Sequence, residues 1–162
     1  MTSYTMLRQC LTGVTQYRFC RGDTPIGSGS ALVLPHYPLT LQLSETKLHC
    51  NRNPEITLFP GINLPITAGD PPKNWGRVIW IRHGLHRLDT PMGTFYVRQQ
   101  GEAYRFLQEE QILGLLYPAQ QGVRASQEGI EWETRLTLAA SEPISDDLAL
   151  LMLAFPLLQL GL

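Results

Sequence analysis

Apolar and polar residues alternate with a period of two along much of the chain, a pattern that predicts β-strands. Leu39, Leu41 and Leu43 alternate with polar residues, which puts three leucines on one face of a strand. The stretch from Ile130 to Leu138 alternates in the same way and predicts a long strand with one buried and one solvated face.

Four further apolar segments lie between these two strands and are bounded by Gly, Pro or polar turn residues. They are Arg77 to Arg82, Thr94 to Arg98, Ala103 to Gln108 and Gln111 to Tyr117. The intervals Gly101-Glu102 and Glu109-Glu110 are short enough for hairpin connections, so neighbouring strands should be antiparallel. Twelve prolines and 14 glycines punctuate the chain. The expected class is therefore mainly β, a meander of short strands and turns.

Asn51 to Trp75 is rich in proline and contains two glycines. This composition predicts a long irregular connection with at most a short strand around Ile56 to Phe59.

The C-terminal segment has the pattern of a helix. Ser145, Asp146 and Asp147 precede the apolar run Leu148 to Leu162, where a capping side chain and two carboxylates suit the first amides of a helix and its dipole. From Leu148 to Phe155 the residues are apolar on every side, so the helix should be buried. Pro156 should kink or end it near Phe155, leaving the last residues as a continuation or an edge strand.

An apolar helix of this kind needs a host. A β-barrel closed around it is the simplest solution within one chain, and a dimer interface is the alternative. The run of 15 residues is shorter than the roughly 20 that span a bilayer, so no transmembrane span is expected.

Composition sets broad limits. A chain of 162 residues fits a single domain, 1–162, and its net charge of −1 provides no general attraction to nucleic acid. Cys10, Cys20 and Cys50 lack the spacing of a zinc knuckle and the even number of a disulfide framework, so they are expected to be reduced thiols. With no apolar signal region near Met1, a cytoplasmic location is expected.

The strand-rich body followed by SDDLALLMLAFPLLQLGL resembles the tubby-like superfamily, in particular its small bacterial members related to the plant LURP-one proteins and the phospholipid scramblases. The resemblance implies a closed antiparallel β-barrel threaded by the C-terminal helix, in a family that includes phosphoinositide binders and membrane-associated proteins. The lysine-rich phosphoinositide pocket, the acidic calcium-binding segment and the cysteine-rich palmitoylation stretch of these relatives have no counterpart here.

The densest polar cluster is RHGLHR, which contains Arg82, His83, His86 and Arg87. Arginine forks and imidazoles at a hairpin end suit a phosphate or carboxylate, so these four residues are the predicted anion site. A solvated turn with Arg87 near Asp89 is the alternative. No Cys, Asp or Glu stands at a spacing that completes a metal site with the two histidines, and neither a metal nor a cofactor is expected.

No arrangement of residues points to catalysis. The segment Gly27 to Ser30 offers two serines and is interpreted as a turn. We therefore expect a non-enzymatic binding or interaction module for a lipid headgroup or another small anion. A small enzyme with a loop-built site and a structural homo-oligomer are the alternatives, and the sequence does not determine the oligomeric state.

Overall fold

The computed structural model describes residues 2–11, 13–32, 39–50, 55–58, 61–117, 120–126, 129–138 and 143–158. Within them lie fourteen strands and one helix. The strands are β1 (Thr2–Leu11), β2 (Val14–Arg21), β3 (Thr24–Leu32), β4 (Leu39–Gln42), β5 (Lys47–Cys50), β6 (Glu55–Ile56), β7 (Ile62–Ala68), β8 (Lys73–Arg82), β9 (Leu85–Thr90), β10 (Gly93–Gln100), β11 (Ala103–Gln108), β12 (Gln111–Leu116), β13 (Gln120–Ser126) and β14 (Gly129–Leu138). The helix is α1 (Asp146–Leu158).

The described strands form one antiparallel sheet in which most neighbours in sequence are neighbours in space. The mainly β class is confirmed, and so is the meander from β8 to β12 with turns at Gly101-Glu102 and Glu109-Glu110. β1 pairs with β2 on one side and with β14 on the other. β14 also meets β12 through one residue pair, Leu116 with Leu138. The closed form of the expected barrel is not confirmed.

Period-two patterns correctly predicted several strands. Leu39, Leu41 and Leu43 are all buried, two of them in β4 and the third just beyond it. β14 covers the alternating stretch near the C-terminus, and β11 has the predicted bounds.

The expectation of an irregular connection from Asn51 to Trp75 is wrong in its second half. β7 is a seven-residue strand that pairs with β5, β6 and β8, with Leu64 and Ile66 buried. Pro65 is tolerated because it lies between the β7 residues that pair with β6 and those that pair with β5. Residues 51–54 and 59–60 lie outside the described part.

The first turn of α1 is capped as the sequence predicts. The Ser145 hydroxyl accepts a hydrogen bond from the Leu148 amide at 3.2 Å. Asp146 binds the guanidinium of Arg21 at the end of β2. Arg21 Nη1 lies 2.6 Å from Asp146 Oδ1 and 2.8 Å from Asp146 Oδ2. Asp147 accepts hydrogen bonds of 3.1 Å from the backbone amide and the hydroxyl of Ser44. The N-terminus of α1 is therefore fixed to the end of β2 and to the turn between β4 and β5.

The body of the helix is buried on every side, as expected. Every residue from Leu148 to Phe155 is buried. Leu150 packs over β3 at Gly27, where a Cβ atom would overlap the Leu150 side chain and the Gln42 carbonyl oxygen. Such close approach explains a glycine within a strand.

Pro156 does not end the helix. α1 continues to Leu158, so the prediction that it could stop near Phe155 is wrong. A proline this close to the C-terminal end removes only one amide donor from the helical ladder. Among the described helical residues, no segment combines the length and the apolar character needed to cross a bilayer.

Candidate functional site

Arg82 and His83 lie together at the turn between β8 and β9. Arg82 is the last residue of β8, His83 follows it, and both are exposed. Gly84 completes the turn with a φ of 78°, a left-handed conformation that suits glycine. These two members of the predicted anion site share one surface.

His86 points in the opposite direction, into the protein. Its side chain is only 4 % exposed, it lies opposite Trp80 in the β8–β9 ladder, and its ring contacts Phe155 of α1. Burial lowers the pKa of His86, so the neutral imidazole is favoured. Nε2 of His86 and Nε1 of Trp80 are buried and find no hydrogen-bond partner among the described residues.

Arg87 lies on the outer face of β9 and is already paired. Its guanidinium donates two hydrogen bonds to Asp89, with Nε to Oδ1 at 3.0 Å and Nη2 to Oδ2 at 3.1 Å. This hydrogen-bonded pair raises the pKa of Arg87, and Tyr96 on β10 contributes in the same sense. Arg87 lines an open groove of about 460 Å³ together with Trp75 and Arg77, which we call the Arg77–Arg87 groove.

The four residues of the predicted site therefore do not share one surface. Successive strand residues point to opposite faces, so His86 and Arg87 are separated by the sheet itself. Arg82 and His83 lie at the exposed turn, and Arg87 already forms an ion pair with the carboxylate of Asp89. The role of these residues in binding an anion stays a prediction.

A second groove lies on the outer face of β2 to β5 and brings together residues from four strands. We call it the Arg18–Lys47 groove. It encloses about 480 Å³, a volume in the range of small-molecule sites. Its lining residues are Gln16, Tyr17, Arg18, Ser28, Gly29, Ser30, Thr40, Gln42 and Lys47. None of these residues is acidic, and none is a histidine or a cysteine.

The strand register arranges the polar side chains of this groove in two rows. Arg18 faces Ser28, Ser28 faces Gln42, and Gln42 faces Lys47. The neighbouring row runs from Gln16 through Ser30 to Thr40. Arg18 on β2 and Lys47 on β5 are thus the two ends of the first row, and hydroxyl and amide side chains lie between them.

Sequence reasoning missed the Arg18–Lys47 groove because it interpreted Gly27 to Ser30 as a turn. The segment belongs to β3. A period-two signal is present in β2, where exposed Gln16 and Arg18 alternate with buried Tyr17 and Phe19. The placement of Arg18 and Lys47 in one groove depends on the register between strands, which no local sequence pattern contains.

Other candidate residues do not converge. In the part of the chain that the structure describes, no three His, Cys, Asp or Glu side chains are grouped as a metal site would require. Cys20 is a free thiol and Cys50 is buried in β5, whereas the side chain of Cys10 lies outside the described residues. His49 lies on β5 opposite Thr40. The position of His36 is also outside the described part.

No protein-family model, curated protein or solved structure matches this chain.

Proposed function

We propose that this protein is a non-enzymatic binding domain that takes a small anionic group, a phosphate or carboxylate, in the Arg18–Lys47 groove. The observation that carries the proposal is the composition of this groove: two cations and four hydroxyl side chains, with no carboxylate among its described lining residues. Arginine and lysine supply charge-assisted hydrogen bonds, and hydroxyls supply neutral donors to the same oxygens.

Charge balance favours this groove over the other one. In the Arg77–Arg87 groove, Asp89 binds Arg87 through two hydrogen bonds and faces Arg77 in the strand register. An incoming anion would have to compete with that carboxylate. The lining of the Arg18–Lys47 groove contains two cationic residues and no acidic residue, whereas the lining of the other groove contains two cationic residues and one carboxylate.

A binding role is also favoured over catalysis there. General acid–base chemistry needs a group that exchanges a proton near neutral pH, most often histidine or a carboxylic acid. The described lining of the groove contains hydroxyls, amides, an arginine and a lysine, which can bind and orient an anion, and it contains neither a histidine nor a carboxylic acid.

The scaffold we propose for this groove is a β-barrel closed around α1, the architecture implied by the tubby-like resemblance. The pairing of β1 with both β2 and β14, the contact of β14 with β12, and the burial of α1 on every side support closure. Hydrogen exchange tests it: backbone amides at Leu116 and Leu138 should exchange as slowly as those of β9 and β10. Fast exchange at both would indicate an open sheet.

Anion binding is tested by titrating inorganic phosphate into labelled protein and following amide chemical shifts. Phosphate should shift amides of β2 to β5, and the double variant Arg18→Gln with Lys47→Gln should abolish the shifts. Arg82→Gln with His83→Gln is the matched control, since it removes the exposed pair at the β8–β9 turn. The reverse pattern would place binding at that turn, and no saturable shift in any protein would reject anion binding.

The same variants distinguish a free anion from a lipid headgroup. Sedimentation with phosphatidylcholine vesicles that contain phosphatidic acid reports headgroup binding in a membrane. Binding to vesicles that depends on Arg18 and Lys47, with weak binding of inorganic phosphate, would identify the headgroup as the ligand. Phosphate binding without vesicle binding would identify a soluble anion.

A further inference from the structure

A second surface lies on the outer face of β9 to β12, on strands that do not form the Arg18–Lys47 groove. The strand register places one residue of each strand in a row, which we call the Tyr96–Leu107 row: Arg87, Tyr96, Leu107 and Ile112. Tyr96 and Ile112 are large side chains that are 41 % and 40 % exposed. Tyrosine and arginine are enriched among the residues that contribute most to binding at protein interfaces.

A basic row lies on one side of these four residues. Arg98 and Arg105 face each other directly across β10 and β11, and both are exposed. Like charges at directly opposed positions destabilise a sheet. Neither guanidinium has an ion-pair partner among the described residues.

Acidic residues lie on the other side of the row. Glu109 and Glu110 form the turn between β11 and β12 and are exposed. Their φ angles are 49° and 66°, left-handed conformations in which turns usually place Gly or Asn. Two glutamates are thus held at the turn where glycine would be less strained.

The two kinds of charge flank Leu107 at equal spacing along the chain. Arg105 precedes Leu107 by two residues in β11, and Glu109 follows it by two residues. A two-fold rotation about an axis along the Tyr96–Leu107 row exchanges the two sides of the row. It would therefore bring Arg105 of one copy over Glu109 of the other, at both ends of the contact.

We infer that this face is the interface of a homodimer, in which two copies pack their Tyr96–Leu107 rows together and pair Arg105 with Glu109 of the partner copy. A face that is complementary to itself under a two-fold axis is the usual basis of a dimer contact. Four strands span little more than about 15 Å, so the area is below the roughly 800 Å² per partner of a standard complex. The dimer should therefore be transient and in exchange with monomer.

Charge reversal tests the pairing by sedimentation velocity over a range of concentrations. Wild-type protein should dimerise with a concentration dependence that weakens at high salt. Arg105→Glu and Glu109→Arg should each weaken dimerisation by about tenfold or more, because each puts like charges at both ends of the contact. An equimolar mixture of the two single variants should dimerise again, since each then meets an opposite charge.

This recovery distinguishes a lost contact from a lost fold, because misfolded variants would not associate specifically on mixing. Lys47→Glu, on the groove face, is the matched control and should dimerise like wild type. Tyr96→Ser should weaken dimerisation without changing its salt dependence. Wild-type protein that stays monomeric at every concentration would reject the inference, and so would a dimer that neither charge reversal affects.

Discussion

The His86 ring on β9 lies edge-on against the Phe155 ring of α1, with the ring centroids 5.7 Å apart and the planes at 75°. Tyr104 and Phe106 of β11 meet the same Phe155 ring, each at 5.8 Å. One helical side chain thus joins two strands of the sheet, and an imidazole is part of its surroundings. Both the stability of the protein and its dependence on pH should respond to this contact.

The free energy of unfolding should fall on acidification in a way that depends on His86. Burial holds its folded-state pKa below the ordinary value near 6.5, so the unfolded chain takes up this proton first as the pH falls. The contribution of His86 is complete above about pH 6.5 and is lost between there and the lower folded-state pKa. Urea denaturation at about pH 7.5 and about pH 5.5 measures the difference.

His86→Phe should remove this part of the pH dependence, because it keeps an aromatic ring beside Phe155 and cannot be protonated. His83→Phe makes the same substitution at the exposed turn and should leave the pH dependence as in wild type. If His86→Phe changed stability equally at both pH values, the buried imidazole would not be the source.

Shortening Phe155 should destabilise the protein strongly. Phe155→Ala removes a fully buried ring and leaves a cavity between α1 and the sheet, a change that typically costs about 3 to 5 kcal/mol of unfolding free energy. Leu157→Ala, on the same helix and only partly buried, should lower it by less. Equal losses from the two substitutions, measured by chemical denaturation, would contradict the central position of Phe155.

The bond between Asp146 and Arg21 should contribute modestly to stability. Both side chains are more than a third exposed, so an ion pair there is worth about 0.2 to 1 kcal/mol, and the helix dipole adds a similar amount for a carboxylate in the first turn. Asp146→Asn should therefore lower the free energy of unfolding by about 0.5 to 1.5 kcal/mol, with a smaller effect at high salt. In a double-mutant cycle with Arg21→Gln, purely additive effects would show that the pair has no coupling energy.

Gly27→Ala should be destabilising although alanine is otherwise a mild substitution in a strand. The added methyl group would overlap both the Leu150 side chain and the Gln42 carbonyl oxygen, so β3, β4 or α1 must shift. Overpacking of this kind costs roughly 1 to 3 kcal/mol. Ser28→Ala, at the next and exposed position, should change the free energy of unfolding by less than about 0.5 kcal/mol.

The sequence by itself determined the strand-rich class, the meander after Arg77, and the capped apolar helix. These features depend on local physics: period-two alternation, turn residues at short intervals, and the position of Ser145 before an apolar run. The same local reasoning correctly required α1 to be buried, since from Leu148 to Phe155 it has no polar face.

Tertiary structure decided which residues meet. The four residues of the predicted site, from Arg82 to Arg87, are close in the sequence. In β9, however, His86 points inward and contacts Phe155, whereas Arg87 points outward and pairs with Asp89, because neighbouring strand residues face opposite sides of a sheet. Arg18 and Lys47 are far apart in the sequence and line one groove, because antiparallel pairing of four strands aligns them. The register between strands determines which side chains come together, and it depends on packing across the whole sheet.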